Sequence, residues 1–158
     1  MPSRLDLPRT AEKLDGPRVR QFSVFLENRV GALLEVVKLL NEQAVEVVAL
    51  SVQDSTDSSI ARLIVSDPDL VTELFHDHDI PFGSTEVVVV ELGEGANDLG
   101  KLLATMLMAE VNIFFIYPML TRPNDKAALV VNVEDHECAS SVMMSSGFKL
   151  LGQADISR

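Results

Sequence analysis

Apolar residues recur along the chain at two spacings, one typical of strands and one typical of helices. Alternating apolar side chains predict a strand over 19–26. From Val30 to Leu40 the apolar residues recur every three or four positions, which predicts a helix. The pattern then predicts these further elements: strands at 45–52 and 60–65, a helix capped by Asp67, and an extended segment at 82–92.

The same order of elements recurs in the second half of the chain. It predicts these elements: a helix at about 99–109, strands at 111–120 and 127–133, a helix capped by Asp135, and a last strand at 148–156. Individual residues match as well. Asn28–Gly31 aligns with Asn97–Gly100 at an offset of 69, and Ser66–Asp69 aligns with Glu134–Glu137 at an offset of 68. A two-fold repeat of this size indicates two copies of one supersecondary unit.

Each repeat has the order β-α-β-β-α-β, which is typical of a unit with four antiparallel strands. The sequence therefore predicts an α+β fold of two ferredoxin-like units in tandem, with antiparallel sheets and helices on one face. We expect a flexible N-terminal arm over 1–17, a first unit over 18–83 and a second unit over 84–158. The run VVVV at 87–90 suits a strand buried on both faces, so we expect sheet extension or face-to-face packing between the units.

Composition and charge narrow the classes of function. The 158 residues carry a formal net charge of −11, whereas a nucleic-acid binder needs a basic face for phosphates. The single cysteine, Cys138, cannot form an intramolecular disulfide, which fits a reducing compartment. The polar start of the sequence lacks the apolar stretch of a signal peptide, and no apolar run is long enough for a membrane span. We therefore expect a cytoplasmic protein with no nucleic-acid or membrane partner.

The sequence contains no recognisable catalytic or metal-binding set. His76–Asp79 offers metal-ligating side chains, but it ends a predicted helix, and no cysteine or further histidine lies nearby in sequence to complete a tetrahedral site. The serines lack the context of a nucleophile elbow. The sequence thus predicts no catalytic residue, no metal and no cofactor.

Two segments carry a resemblance to a known family. They are ENRVGALLEVVKLL at 27–40 and AEVNIFFIY at 109–117. Together with the doubled β-α-β-β-α-β order, they resemble tandem ACT-domain proteins over residues 19–155, and in particular small stand-alone members related to acetolactate synthase regulatory subunits. The family loop usually reads Asp/Asn-x-Pro-Gly, and here Val30 and Leu99 stand in place of the proline.

The resemblance implies a binding site for a free amino acid in the two strand-to-helix loops, at an interface between ACT units. The physical chemistry agrees, because the first turn of a helix presents unpaired N–H groups to a carboxylate and a glycine there permits close approach. The predicted ligand-binding residues are Asn28, Arg29, Val30, Gly31, Ala32, Asn97, Asp98, Leu99, Gly100 and Asn112. The alternative is that both glycines only shape tight turns and that no ligand binds.

The predicted function is that of a non-catalytic, allosteric regulatory protein that senses a small free amino acid, with the branched-chain amino acids as first candidates. A small enzyme on the same scaffold and a structural interaction module without a ligand are the alternatives. The expected partners are the amino acid, an amino-acid biosynthetic enzyme, and a second copy of the chain. A homodimer is expected because small units bury little surface alone and the helix at 99–109 is apolar nearly all round.

Overall fold

The computed structural model of the chain describes residues 18–27, 30–54 and 57–157. The strands are β1 (Val19–Glu27), β2 (Val47–Asp54), β3 (Ser58–Val65), β4 (Phe82–Leu92), β5 (Ile113–Pro118), β6 (Ala127–Val133) and β7 (Lys149–Leu151). The helices are α1 (Val30–Glu42), α2 (Pro68–Asp77), α3 (Leu99–Met108), α4 (His136–Ser145) and α5 (Gln153–Ile156). A short 3₁₀ turn, Gly95–Asp98, precedes α3, and a tight turn at Pro123–Asp125 precedes β6.

All strands join one antiparallel sheet in the order β2-β3-β1-β4-β6-β5, and β7 also pairs with β4. The long strand β4 serves both halves of the chain. Its first part, Phe82–Val87, pairs with β1, whereas its second part pairs with β6 and β7. Each half therefore has the strand order of a ferredoxin-like unit, which confirms the predicted fold class. The boundary predicted between residues 83 and 84 lies inside β4, and it stays a prediction.

The sheet curls until its two edge strands meet. Ala49 in β2 forms a bridge with Met119, just beyond β5, and Leu120 N donates a hydrogen bond of 2.8 Å to Val48 O. The inner face of the curled sheet is filled by one cluster of buried side chains. This inner cluster consists of Val19, Val48, Ala49, Ile64, Val87, Val89, Tyr117, Ala128, Val130, Leu151 and Ile156. The chain thus combines sheet extension through β4 with face-to-face packing of the two halves.

Helices α1 to α4 cover the outer face of the sheet in two separate clusters, whereas Ile156 of α5 belongs to the inner cluster. In the first half, Val36 and Leu40 of α1 and Phe75 of α2 pack against side chains of β1 and β3. In the second half, Leu102 and Met106 of α3 pack with residues of α4, β4 and β6. For α1 to α4, the helices that were predicted from the sequence, the placement on one face is therefore confirmed. Because both faces of the sheet are covered, β4 is buried along the valine run.

The helix caps named from the sequence are present in both halves. Asp67 Oδ1 accepts a hydrogen bond of 3.2 Å from Leu70 N, and Asp135 Oδ1 accepts one of 3.0 Å from Cys138 N. These bonds satisfy backbone donors that have no partner inside the helix. Among the residues described, no helix is long and apolar enough to cross a membrane.

The predicted last strand over 148–156 is wrong beyond Leu151, because the chain turns into α5 there. Asp155 Oδ2 accepts a hydrogen bond of 2.8 Å from Gly152 N, which stabilises the start of this short helix. Helical backbone also lets the buried Gln153 bond to the first half. Its Nε2 donates to Val65 O at 3.1 Å, and its Oε1 accepts from Arg20 N at 3.3 Å. Through these two hydrogen bonds, α5 of the second half binds to β1 and β3 of the first half.

Candidate functional site

The structure places the predicted loop residues at the starts of α1 and α3. Asn28 and Arg29 lie outside the described residues, Val30 is the first residue of α1, and Ala32 is buried. In the second half Asn97 and Asp98 belong to the 3₁₀ turn, and Leu99 is the first residue of α3. Gly31 and Gly100 are each the second residue of their helix. Exposed Asn112 precedes β5, and its Nδ2 donates to Glu134 Oε1 at 3.0 Å.

Neither loop glycine is required by backbone conformation or by packing within the described residues. Gly31 and Gly100 do not have the left-handed φ that favours glycine, unlike Gly95 at +63°. A Cβ built on Gly31 or Gly100 would have no heavy atom within 4 Å beyond its chain neighbours and its own helix. The first turn of each helix is therefore open on the side of the glycine. Turn formation alone does not account for a glycine at either position.

The two connections differ in structure even though their sequences match. The helix ends are equivalent, because Val45 N bonds to Leu40 O and Val111 N bonds to Met106 O after residues with positive φ. The strand ends are equivalent too. Leu26 faces Ser59 in β3, and Leu92 faces Ala127 in β6.

The spacing between these equivalent points fixes the alignment of the two halves. Leu26 precedes Leu40 by 14 positions, and Leu92 precedes Met106 by 14 positions. Gly31 therefore corresponds in the fold to Asn97, and Gly100 corresponds to Leu34. The sequence match has an offset of 69, whereas the structurally equivalent residues have an offset of 66. The difference of three residues is about one helical turn. Accordingly α1 has 13 residues, whereas α3 has 10 and follows a 3₁₀ turn.

A cavity lies beside this 3₁₀ turn in the second half. Its volume is about 430 Å³, which is in the range typical of small-molecule sites. It is lined by Leu92, Gly93, Gly95, Ala96, Leu99, Arg122, Asp125, Lys126, Ala127 and Leu129. Of the residues predicted from the sequence to bind a ligand, Leu99 lines the cavity. The cavity therefore joins one predicted loop to the β5–β6 connection.

Hydrogen bonds stabilise the two segments that line the cavity. On one side, Asp98 Oδ2 accepts a hydrogen bond of 2.9 Å from Glu94 N, which closes the 93–98 segment. On the other side, Lys126 N donates to Pro123 O at 3.2 Å, and Asn124 and Asp125 between them both have positive φ. Positive φ at both central residues defines a type I′ turn, and Asn and Asp tolerate that conformation.

Two cationic side chains, Arg122 and Lys126, come from this turn to the cavity. Neither takes part in an ion pair or a side-chain hydrogen bond with the rest of the described chain. Lys126 Nζ lies 4.0 Å from the position that a Cβ on Gly93 would take, so the ammonium group stands over the start of the loop. From the sequence this segment is only the connection between the predicted strands at 111–120 and 127–133, and its signal for binding is no more than two basic residues in an acidic chain.

The equivalent rim of the first half has a different charge. An offset of 68, shared by the capping residues Asp67 and Asp135, makes Ser58 the counterpart of Lys126. Acidic Asp57 is the counterpart of Asp125, and Asp54 accepts a hydrogen bond from the Ser59 hydroxyl nearby. The part of this rim that the structure describes thus carries carboxylates and no cation.

The histidine-rich end of α2 is occupied by local contacts. His78 Nδ1 lies 3.0 Å from Leu74 O, and the ring of His76 packs against Phe82 with 5.3 Å between the centroids. Within residues 18–27, 30–54 and 57–157, no group of three or more His, Cys, Asp or Glu side chains is arranged to hold a metal ion. The absence of a metal from the function of the protein stays a prediction.

Comparison with known proteins identifies the family. Residues 18–158 match the family described as ACT domain pair, and the chain therefore belongs to that family. This confirms the resemblance drawn from the two loop and strand segments. A comparison with curated proteins found no significant match.

Solved structures agree with this assignment. The chain is similar to protein BT0572 from Bacteroides thetaiotaomicron, with 28% identity, a TM-score of 0.81, and coverage of 89% of this chain and 96% of that one. It shares its fold with the ligand-free regulatory subunit of aspartate kinase from Thermus thermophilus, with 13% identity, a TM-score of 0.58, and coverage of 85% and 96%. The regulatory subunit of aspartate kinase from Thermus flavus is similar at 15% identity, a TM-score of 0.53, and coverage of 83% and 94%.

Proposed function

We propose that the protein is a non-catalytic regulatory protein that binds a free amino acid in the cavity beside the 3₁₀ turn of its second half. The observation that carries this proposal is the cavity itself, which combines apolar side chains with Arg122 and Lys126. An amino acid needs both, because its carboxylate requires charged or N–H donors and its side chain requires a matching wall. Membership of the ACT domain pair family supports the same conclusion.

The apolar part of the cavity favours an aliphatic ligand. Leu92, Leu99 and Leu129 supply its largest side chains, and Ala96 and Ala127 leave room between them. Burial of apolar surface contributes about 25 cal/mol per Å², so a branched side chain gains more than a small polar one. Branched-chain amino acids are therefore the first candidates, and small amino acids such as serine follow.

Regulation requires a partner enzyme. Two of the solved structures that share the fold are regulatory subunits of an enzyme, aspartate kinase. By analogy we propose that this chain regulates an amino-acid biosynthetic enzyme by changing its association or conformation when the amino acid binds. Because a fold does not specify a partner, the particular enzyme has to be identified by its co-purification with this chain.

We also propose that the chain forms a homodimer through α3. The exposed fractions of Leu103, Leu107 and Met108 are 42%, 77% and 85%. Their counterparts in α1 are Val37, which is half-buried, and the polar residues Asn41 and Glu42. The same face is thus polar where the first half meets water and apolar in the second half, which is typical of a contact surface. Light scattering should give twice the chain mass at micromolar concentration, and Leu107→Glu should give a monomer while the control Asn41→Glu should not.

A thermal-shift screen of all twenty amino acids tests the ligand proposal. At about 100 times its dissociation constant, one bound ligand stabilises the fold by roughly 2.7 kcal/mol, or about 5–10 °C for a chain of this size. Ala96→Phe should fill the cavity and abolish the shift. The matched control Ala154→Phe, exposed on α5 and outside the cavity, should retain it. A screen in which no amino acid moves the melting temperature by a degree contradicts the proposed function.

A further inference from the structure

The polar and apolar linings of the cavity lie at different depths. Arg122, Asp125 and Lys126 are exposed, whereas Leu92 is buried and Leu129 is half-buried. A ligand with an aliphatic tail and a charged head therefore has one favourable orientation, with its tail inward and its head at the mouth. A charged head at the mouth also keeps part of its hydration, which lowers the cost of binding.

The charges at the mouth match the two charges of an amino acid. Arg122 and Lys126 have no ion-pair partner in the part of the chain that the structure describes, so their donors are available to a carboxylate. Asp125 stands between them in the type I′ turn and supplies an acceptor for an ammonium group. These three residues lie within one short segment, so the conformation of that segment brings all three to the cavity mouth together.

Among the described residues, the first half lacks this set. Ser58 occupies the position of Lys126, and Asp54 and Asp57 give the described part of that rim a negative charge. These two described carboxylates repel a ligand carboxylate, since like charges at close range raise the energy of binding. The repeat therefore does not imply two equivalent sites.

Resting on the proposed function, we infer that Arg122 and Lys126 hold the carboxylate of an aliphatic amino acid and that Asp125 receives its ammonium group. We further infer that each chain binds one such ligand, in its second half. This set of residues from the β5–β6 turn lies outside the strand-to-helix loops named from the sequence.

Calorimetric titration of the full chain with leucine and two analogues tests the inference. Leucine should bind once per chain. Leucinamide, which lacks the carboxylate, should bind at least about tenfold more weakly, as expected for the loss of charge-assisted hydrogen bonds. Arg122→Gln and Lys126→Gln should each weaken leucine binding by about tenfold or more. The control Lys149→Gln, exposed on β7 and outside the cavity, should bind leucine as the unaltered chain does.

The third variant separates the two charges of the ligand. Asp125→Asn should weaken the binding of leucine and leave that of 4-methylvalerate, which has no ammonium group, unchanged or stronger. If leucine binds all three variants with unaltered affinity, or binds twice per chain, the inference is wrong while the proposed function stands. If no amino acid binds the unaltered chain, the proposed function fails and the inference fails with it.

Discussion

The two halves of the chain share a frame and differ in one connection. Leu26 and Leu92 hold equivalent positions at the ends of their strands, Leu40 and Met106 accept equivalent bonds at the helix ends, and Asp67 and Asp135 cap equivalent helices. Between these points the first half begins α1 at Val30, whereas the second half forms a 3₁₀ turn and begins α3 later. The difference shows that a repeat can preserve its core positions while one copy reshapes the surface next to its first helix.

The charges at this surface differ in the same way. The second half presents Arg122 and Lys126 beside an apolar cavity, and the described residues at the equivalent rim of the first half are polar or acidic. The residues that carry this contrast, Arg122 and Lys126 in one half and Asp54 and Asp57 in the other, are exposed. Such residues are free to determine what each half binds.

The largest predicted effect concerns the contact that joins the halves. Tyr117 OH in the second half donates a hydrogen bond of 2.6 Å to Gln21 Oε1 in the first, and both side chains are buried. Tyr117→Phe should lower the free energy of unfolding by about 1–3 kcal/mol, because Gln21 would then be buried without a partner for its carbonyl. Urea unfolding followed by circular dichroism measures the change.

The control for this substitution is a double variant. Gln21 Nε2 has no hydrogen-bond partner in the described part of the chain, so a polar group is already unsatisfied there. Gln21→Leu combined with Tyr117→Phe should therefore cost less than the sum of the two single changes. Additive losses would mean that the bond does not couple the halves.

The next prediction uses pH to weaken the same contact. Burial raises the pKa of Tyr117 above its ordinary value near 10, and the Arg62 charge opposes this only in part. The folded state therefore holds the phenol proton more tightly than the unfolded state. This contribution to stability is complete below pH 10 and is lost as the pH rises above 10 toward the folded-state pKa.

Absorbance of tyrosinate near 295 nm follows this titration without interference. Tyr117 is the single tyrosine of the sequence, which contains no tryptophan. Ionisation should appear well above pH 10 and should accompany the loss of stability. A folded protein in which Tyr117 ionises near pH 10 would contradict the buried position of its hydroxyl.

The smallest predicted effect sharpens the comparison between Gly31 and Gly100. Both have room for a Cβ and neither has left-handed φ, so alanine should raise the free energy of unfolding by up to about 1 kcal/mol at each position. Gly95→Ala is the matched control, and it should destabilise the protein because Gly95 has a φ of +63°. Chemical denaturation of the three variants measures the effects. Destabilisation at Gly31 or Gly100 would restore the view that these glycines shape the turns.

The fold could be predicted from the sequence because its signals are periodic and repeated. Alternation in β1, the helical spacing of α1 and the capping aspartates each indicated the correct element, and the repeat confirmed them. The last segment could not be predicted in this way. Phe148–Ile156 reads as extended, but tertiary hydrogen bonds of Gln153 decide in favour of a helix.

The candidate site was predictable only in part. Leu99 was named because its loop resembles the family loop, and it does line the cavity. Arg122 and Lys126 were not named, because they follow β5 in sequence and meet the loop only when β6 pairs with β4. The sequence match of Gly31 with Gly100 also gave an alignment of the two halves that is wrong by one helical turn. Matching residues do not show at which residue each helix begins.

Amide chemical-shift mapping with leucine tests most directly whether the second half alone holds the ligand. In two-dimensional spectra of the ¹⁵N-labelled chain, we expect the largest shifts in two segments that line the cavity, residues 92–99 and 122–129. The equivalent segments of the first half, 26–33 and 54–61, should shift little. Shifts of equal size in both halves, or shifts concentrated at the first-half segments, would contradict the account.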